Sequence, residues 1–320
     1  MPVQWTPEFR EVAAPIFAAR AAKPKPDAPG PLDVRAAVTA AFETLLSQLP
    51  RATEAEHSEH QVPSYDGETI PVHRFWKKGT ETSTSAPAII HIHGGGMIMG
   101  GGDQFHNRCA LMVQETGVQI FTVDYRLAPE HRFPTPVEDC YAALVWVHQQ
   151  AEQFGIDRQR IGTFGESAGA NLAAAITLMA QDRSLSPSVA KQILVYPMLD
   201  DTNTVARPAQ DAVAIWTSST NALAWSAYLG DLYGSDDVSP YAAPARVASV
   251  AGLPPTYLEV GTADIFLDET LKFASRLAAA DIEVELHVRP GLPHGFDIYA
   301  PFIGATQRAM ADRARAISTM

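Results

Sequence analysis

Short apolar runs alternate with amphipathic stretches along most of this chain. Ala88 to His93, Val118 to Tyr125, Ile161 to Phe164, Gln192 to Tyr196, Thr256 to Val260 and Glu283 to Val288 read as strands, most of them apolar enough to be buried on both faces. Between and after them, Gln104 to Glu115, Pro136 to Gln150, Ala170 to Met179, Leu267 to Ala280 and Thr306 to Ser318 are helical in pattern. Upstream, His60 to Pro63 and Ile70 to Trp76 flank Asp66-Gly67, a hairpin signal, and Thr80 to Ser85 is a polar loop. Alternation of this kind predicts an α/β chain: eight strands in a mostly parallel sheet, the first two hairpin-linked, with helices on both faces.

The alternation fails twice. Residues 1–55 offer no strand before the hairpin. Val12 to Ala22 and Val34 to Leu49 have helical spacing, and Lys23 to Pro31 between them is a proline-studded linker. Residues 198–255 interrupt the strand–helix rhythm with aromatic-rich pieces, Ala212 to Trp216 and Ala222 to Tyr233, both helix-like. An insertion there lies above the C-terminal ends of the strands, where open α/β sheets bind ligands. The expected organisation is therefore a core of 56–197 and 256–320, covered by cap elements from 1–55 and 198–255.

Composition narrows the function without defining it. A chain of 320 residues, 46% hydrophobic, suits one large domain with an appended cap. A net charge of −12 argues against a nucleic-acid surface. Cys109 and Cys140 have no metal-ligand spacing and sit in helical runs, as small core residues do. Met1 to Arg20 lacks the basic and apolar regions of a signal peptide. No stretch reaches the ~18 uninterrupted apolar residues of a membrane span. The expectation is a soluble, cytoplasmic protein with no membrane partner.

Candidate chemistry centres on Gly165-Glu166-Ser167-Ala168-Gly169, between the run ending at Phe164 and the helix beginning after it. Strand, tight turn and helix with serine at the apex is the pattern of a nucleophile elbow, and the flanking glycines allow the turn. His93-Gly94-Gly95-Gly96 leaves the strand Ala88 to Ile92 with bare backbone N–H groups, which can converge with that of Ala168 on a developing oxyanion. A serine needs a base and the base an orienting acid. Of ten histidines, His294 lies in a loop just after the last strand. Asp264 follows the strand Thr256 to Val260 and lies between serine and histidine in chain order. Asp200 and Asp201, after the preceding strand, are rival acids. Asp268 and Glu269 are explained by a helix N-terminus.

Taken together, four motifs resemble the hormone-sensitive-lipase family of esterases, on the α/β-hydrolase fold. They are His93-Gly94-Gly95-Gly96, Tyr125-Arg126-Leu127-Ala128-Pro129-Glu130, the serine elbow, and Asp264 followed by Pro293-His294-Gly295-Phe296. The likeness runs from about residue 60 to the end. It implies Ser167 as nucleophile, His294 as base, Asp264 as its orienter, and the N–H groups of Gly95, Gly96 and Ala168 as oxyanion donors. It also implies loop-anchoring roles for Arg126 and Glu130. This chain departs from the family's usual pattern with Glu166 and Ala170 around the elbow, and with Ile265-Phe266 after the acid.

The reaction expected is hydrolysis of a small-molecule carboxylic ester through an acyl-enzyme, with no metal or organic cofactor. Met97, Met99, Phe105, Trp216, Trp225, Tyr228 and Phe296 are candidates to line the pocket, and the cap favours a short acyl chain or a compact ester. The same triad serves lactone opening, amide cleavage, acyl transfer or cyclisation, and a receptor on this fold would keep the pocket and lose part of the triad. Glu283 to Val288, at a sheet edge, is a place where a second copy could pair.

Overall fold

The computed structural model describes residues 4–21, 29–80, 85–204 and 208–320. Most of the expected linker Lys23 to Pro31 and of the loop Thr80 to Ser85 lies outside those residues.

In chain order the elements are α1 (Pro7–Ala21), α2 (Pro31–Leu46), β1 (Ala55–Pro63), β2 (Thr69–Lys77), β3 (Ala86–Ile92), α3 (Gly102–Thr116), β4 (Gln119–Val123), α4 (Thr135–Gln149), β5 (Ile156–Glu166) and α5 (Ala168–Asp182). There follow β6 (Gln192–Val195), α6 (Pro208–Asp211), α7 (Ser218–Leu229), β7 (Thr256–Gly261), α8 (Leu267–Ala279), β8 (Val284–Arg289), α9 (Phe296–Tyr299) and α10 (Gly304–Ser318). The eight strands form one sheet in the order β1-β2-β4-β3-β5-β6-β7-β8. β1 with β2 and β2 with β4 are antiparallel, and every later pair is parallel. This is the expected sheet, with β8 at its outer edge.

Strict side-chain alternation divides the core into two layers, one on each face of the sheet. Ile90 and Ile92 of β3 join α4, α5 and α8 through Val137, Ala143, Leu172 and Phe273. Ile89 faces the other way, into a layer with Phe9 of α1, Phe105 and Cys109 of α3, and Ala309 and Ile317 of α10. α5 is buried from Ala168 to Ala180. Its run of alanines lets it lie close under the serine turn with little side-chain entropy to lose. Cys109 and Cys140 are both free and buried.

Several expected elements are corrected: α1 begins at Pro7 and β1 at Ala55, each five residues before the expected start. β5 begins at Ile156, well before Ile161: Ile156 pairs with Ala86 and Ile161 with Ala88, and the polar stretch Asp157–Arg160 between them forms a bulge in the ladder. Ala212 to Trp216 is not helical; it is a turn and loop between α6 and α7. Its carbonyl at Val213 accepts from the Trp5 indole (2.7 Å), and the Trp216 indole donates to Asn221 (3.2 Å). Among the described residues, no helix is long and apolar enough to cross a membrane.

Candidate active site

Ser167 stands where β5 ends and α5 begins, with φ 58° and ψ −120°. A non-glycine residue at positive φ stores about 1–3 kcal/mol of strain, so the surroundings must enforce it. They do so from both sides. The Ser167 N–H donates to Val195 O (2.9 Å), and its carbonyl accepts from the N–H groups of Ala170 and Asn171. A Cβ added to Gly165 would lie 2.2 Å from Gly169 O, and one added to Gly169 would lie 2.0 Å from Ile92 O. The two elbow glycines are thus the contact that lets α5 close onto β5 and β3.

The serine hydroxyl meets His294 Nε2 at 2.8 Å, and His294 Nδ1 meets Asp264 Oδ2 at 2.8 Å. Assigned from this network, Nδ1–H donates to the carboxylate and Nε2 accepts the serine proton. The other carboxylate oxygen, Oδ1, accepts the Phe266 N–H (3.0 Å). Asp264 is fully buried, so both its oxygens are held by protein donors. The loops carrying acid and base are knit together: Ala263 N–H donates to Leu292 O and Gly291 N–H to Thr262 Oγ1. The His294 ring is walled by Tyr196 (4.7 Å between centroids), Phe266 (5.0 Å) and Trp216 (6.3 Å). The rival acids are engaged elsewhere: Asp201 with Arg246 (2.6 Å), Asp200 with Thr202.

The glycine loop after β3 passes directly beside the serine. A Cβ on Gly94 would lie 2.8 Å from Glu166 O and 3.3 Å from Ser167 Cβ. Gly95, at φ +129°, turns the chain where a side chain would strike Met99 O at 2.0 Å. Among the described residues, the N–H groups of Gly95, Gly96 and Ala168 have no acceptor. Three free donors on a loop and a helix start adjoining the nucleophile are the requirement for holding an oxyanion.

Behind the triad lies a buried charge network that sequence reasoning missed. Glu166, next to the nucleophile, accepts from His91 Nε2 (3.0 Å) and lies 3.7 Å from Arg108. Arg108 pairs with Asp297 (2.6 Å), which also receives Arg313 (2.8 Å) and the Tyr196 hydroxyl (2.8 Å). Arg313 continues to Glu259 (2.5 Å), and Arg289 joins Glu259 to Asp312. Burial opposes ionisation of Glu166 and Asp297, but the cations facing them prevail, and both carboxyls fall below their ordinary values. Burial likewise opposes a charge on His91; the Cys109 sulfur and Glu166 outweigh it and raise the imidazole to about 10. A signal existed: Arg313 falls in the buried stripe Thr306, Ala309, Arg313, Ala316 of α10, and Arg108 in the stripe Phe105, Arg108, Met112 of α3. A charge on an apolar stripe must find a buried partner.

The pocket candidates divide by position. Trp216 is at the site, against both His294 and Gly96, and Met97 is buried at the loop apex with φ 58°. Phe105 stacks on His93 (5.6 Å), and Phe296 packs against Tyr196 and Arg313 behind the triad. Trp225 and Tyr228 are buried against one another, and among the described residues the indole N–H and phenol hydroxyl have no hydrogen-bond partner. Met99 is buried at the foot of the glycine loop. A cleft of about 300 Å³ between Tyr65, Tyr141, Trp146 and Arg183 shares no residue with this site. Arg126 binds Asp66 and Asp139, and Glu130 binds Arg35 of α2.

Known proteins agree with this arrangement. A family described as having the alpha/beta hydrolase fold matches residues 89–298. Esterase LipI of Mycobacterium tuberculosis is 33% identical over 269 residues, 82% of this chain and 83% of that one. Ethyl acetate hydrolase of Pseudomonas putida is 30% identical over 75% of each. Among solved structures, a bacterial heroin esterase superposes with a TM-score of 0.87 at 34% identity, covering 99% of this chain and 98% of that one. An esterase of Pyrobaculum calidifontis follows at 0.85 and 27%, covering 99% of each. Fold, motif order and relatives together place this chain in the α/β-hydrolase family, among its carboxylesterases of the hormone-sensitive-lipase type.

Proposed function

We propose that the protein hydrolyses carboxylic esters through an acyl-enzyme on Ser167. The observation that carries this is the unbroken chain Ser167 Oγ–His294–Asp264, with 2.8 Å at each step. His294 removes the serine proton as Oγ attacks the carbonyl. The N–H groups of Gly95, Gly96 and Ala168 receive the oxyanion. His294 then protonates the leaving alcohol, and water attacks the acyl-enzyme by the same route in reverse. Named relatives that are esterases support the reaction class.

The reading extends to substrate size. α1, α2 and residues 198–255 act as a cap over the core. Supporting this, Trp5 ties the N-terminal segment to the insertion at Val213, and Arg35 of α2 binds Ile98 O, Ala128 O and Glu130 beside the glycine loop. Trp216, carried by the insertion, sits on Gly96. A cap drawn this close favours a short acyl chain or a compact ester. β8, with Leu286 and Val288 exposed at the sheet edge, is where a second copy would pair.

Three measurements test the function. Ser167→Ala should retain the fold by circular dichroism and lose at least about three orders of magnitude in turnover; near-normal rates would refute the assignment. Across p-nitrophenyl esters of increasing acyl length, rates should fall beyond short chains. Analysis of products from a lactone and amide panel separates ester hydrolysis from the other reactions the triad can perform.

A further inference from the structure

Three imidazoles meet at the antiparallel end of the sheet, apart from the triad. β1 and β2 pair so that His57 faces Phe75 and Glu59 faces His73. Side-chain alternation then sets His57 and His73 on one face as diagonal neighbours. α3 packs across that face and adds His106, whose ring centroid is 4.3 Å from that of His73 and 5.0 Å from that of His57. His57 Nε2 is 3.2 Å from His73 Nδ1, and one nitrogen of each of the three rings lies within 4.8 Å of the others. Phe75 floors the cluster. His106 Nε2 is buried and has no hydrogen-bond partner among the described residues.

We propose that His57, His73 and His106 form a binding site for a first-row transition-metal dication, zinc foremost, which clamps the β1–β2 hairpin to α3. Nitrogens about 2.0–2.1 Å from a tetrahedral zinc stand about 3.3–3.4 Å apart, close to the His57–His73 spacing. Imidazole-only donors favour zinc, copper or nickel and disfavour calcium and magnesium. The exposed side of His57 gives the ion an entry path and leaves a fourth position for water. The ligands come from two strands and a helix, so the site exists only in the folded chain, and binding adds to its stability. A lone His57–His73 hydrogen bond is the competing account, and it predicts no metal affinity.

The test uses the full chain, stripped with a chelator, dialysed and titrated with Zn²⁺ against a chromophoric indicator. The expected result is one equivalent bound, with a rise in melting temperature. His57→Ala and His106→Ala should each weaken binding at least about tenfold and abolish the rise. His57 is exposed, so its variant should fold and keep its basal ester turnover; His73, which is buried, is left intact. No stoichiometric uptake, or equal affinity in the wild type and both variants, would overturn the proposal.

Discussion

Asp264 shows how much one carboxylate must do. One oxygen orients the imidazole and the other is pinned by the Phe266 N–H, so the ring is fixed in tautomer and in angle. Asp264→Asn keeps the shape but puts an amide that can donate opposite Nδ1–H, favouring the tautomer with a proton on Nε2. Turnover should fall by about 10⁴, the scale known for the equivalent change in serine proteases, with little change in melting temperature. A loss under tenfold in steady-state kinetics would mean that Asp264 does not orient the base. At this scale the sequence was highly legible. Gly165, Ser167, Gly169, Asp264 and His294 are residues for which backbone geometry or chemistry admits few substitutes. Tyr196 and Trp216 were harder to place beside His294, because an aromatic ring fits a core as well as a site and nothing local tells the two apart.

Among elements, β3, β5 and α3 are joined by ionised groups where apolar packing would be the default. His91 on β3 donates to Glu166 at the end of β5 and, through Nδ1, to Thr122 on β4. Its pKa rises from 6.5 to about 10 in the folded chain, so between those values the folded state holds a proton that the unfolded state has released. That contribution is complete below about 6.5 and drains away as pH climbs through about 10. Wild-type stability in urea should therefore decline across the alkaline range, and His91→Gln should flatten that slope. Parallel slopes for the two proteins would show His91 neutral. Element boundaries were legible wherever apolar residues marked them. They failed at Asp157–Arg160, where a bulge of polar residues interrupts the ladder, and at Ala212 to Trp216, where the chain turns between α6 and α7. The cross-linking charges escaped a reading by periodicity, since a partner such as Asp297 is 189 residues from Arg108.

Over the whole molecule, the cap reading turns on a few long-range ties. Arg35 reaches from α2 to two carbonyls beside the glycine loop, and charge-assisted bonds of this kind are typically worth about 1.5–3 kcal/mol. Arg35→Ala should loosen the lid and leave the core intact. The ratio of rates on long against short p-nitrophenyl esters should rise about tenfold, the discrimination that one methylene's fit confers. An unchanged ratio would separate α2 from substrate selection. The alternation of strands and helices made the sheet legible from sequence. The seating of the N-terminal segment against the loop before α7 was not, because it depends on contacts such as Trp5 with Val213 across 208 positions.

Ser167, Asp264 and His294 follow β5, β7 and β8, and His294 comes 127 residues after Ser167. On the proposed function, a polypeptide leaving the ribosome cannot attack esters until β8 and the loop after it have been made. The same ordering makes catalysis a clock for refolding. After dilution from denaturant, helical circular dichroism should return first and turnover later, when β8 docks at the rim of the sheet. Simultaneous recovery of the two signals would mean that the sheet closes in a single step.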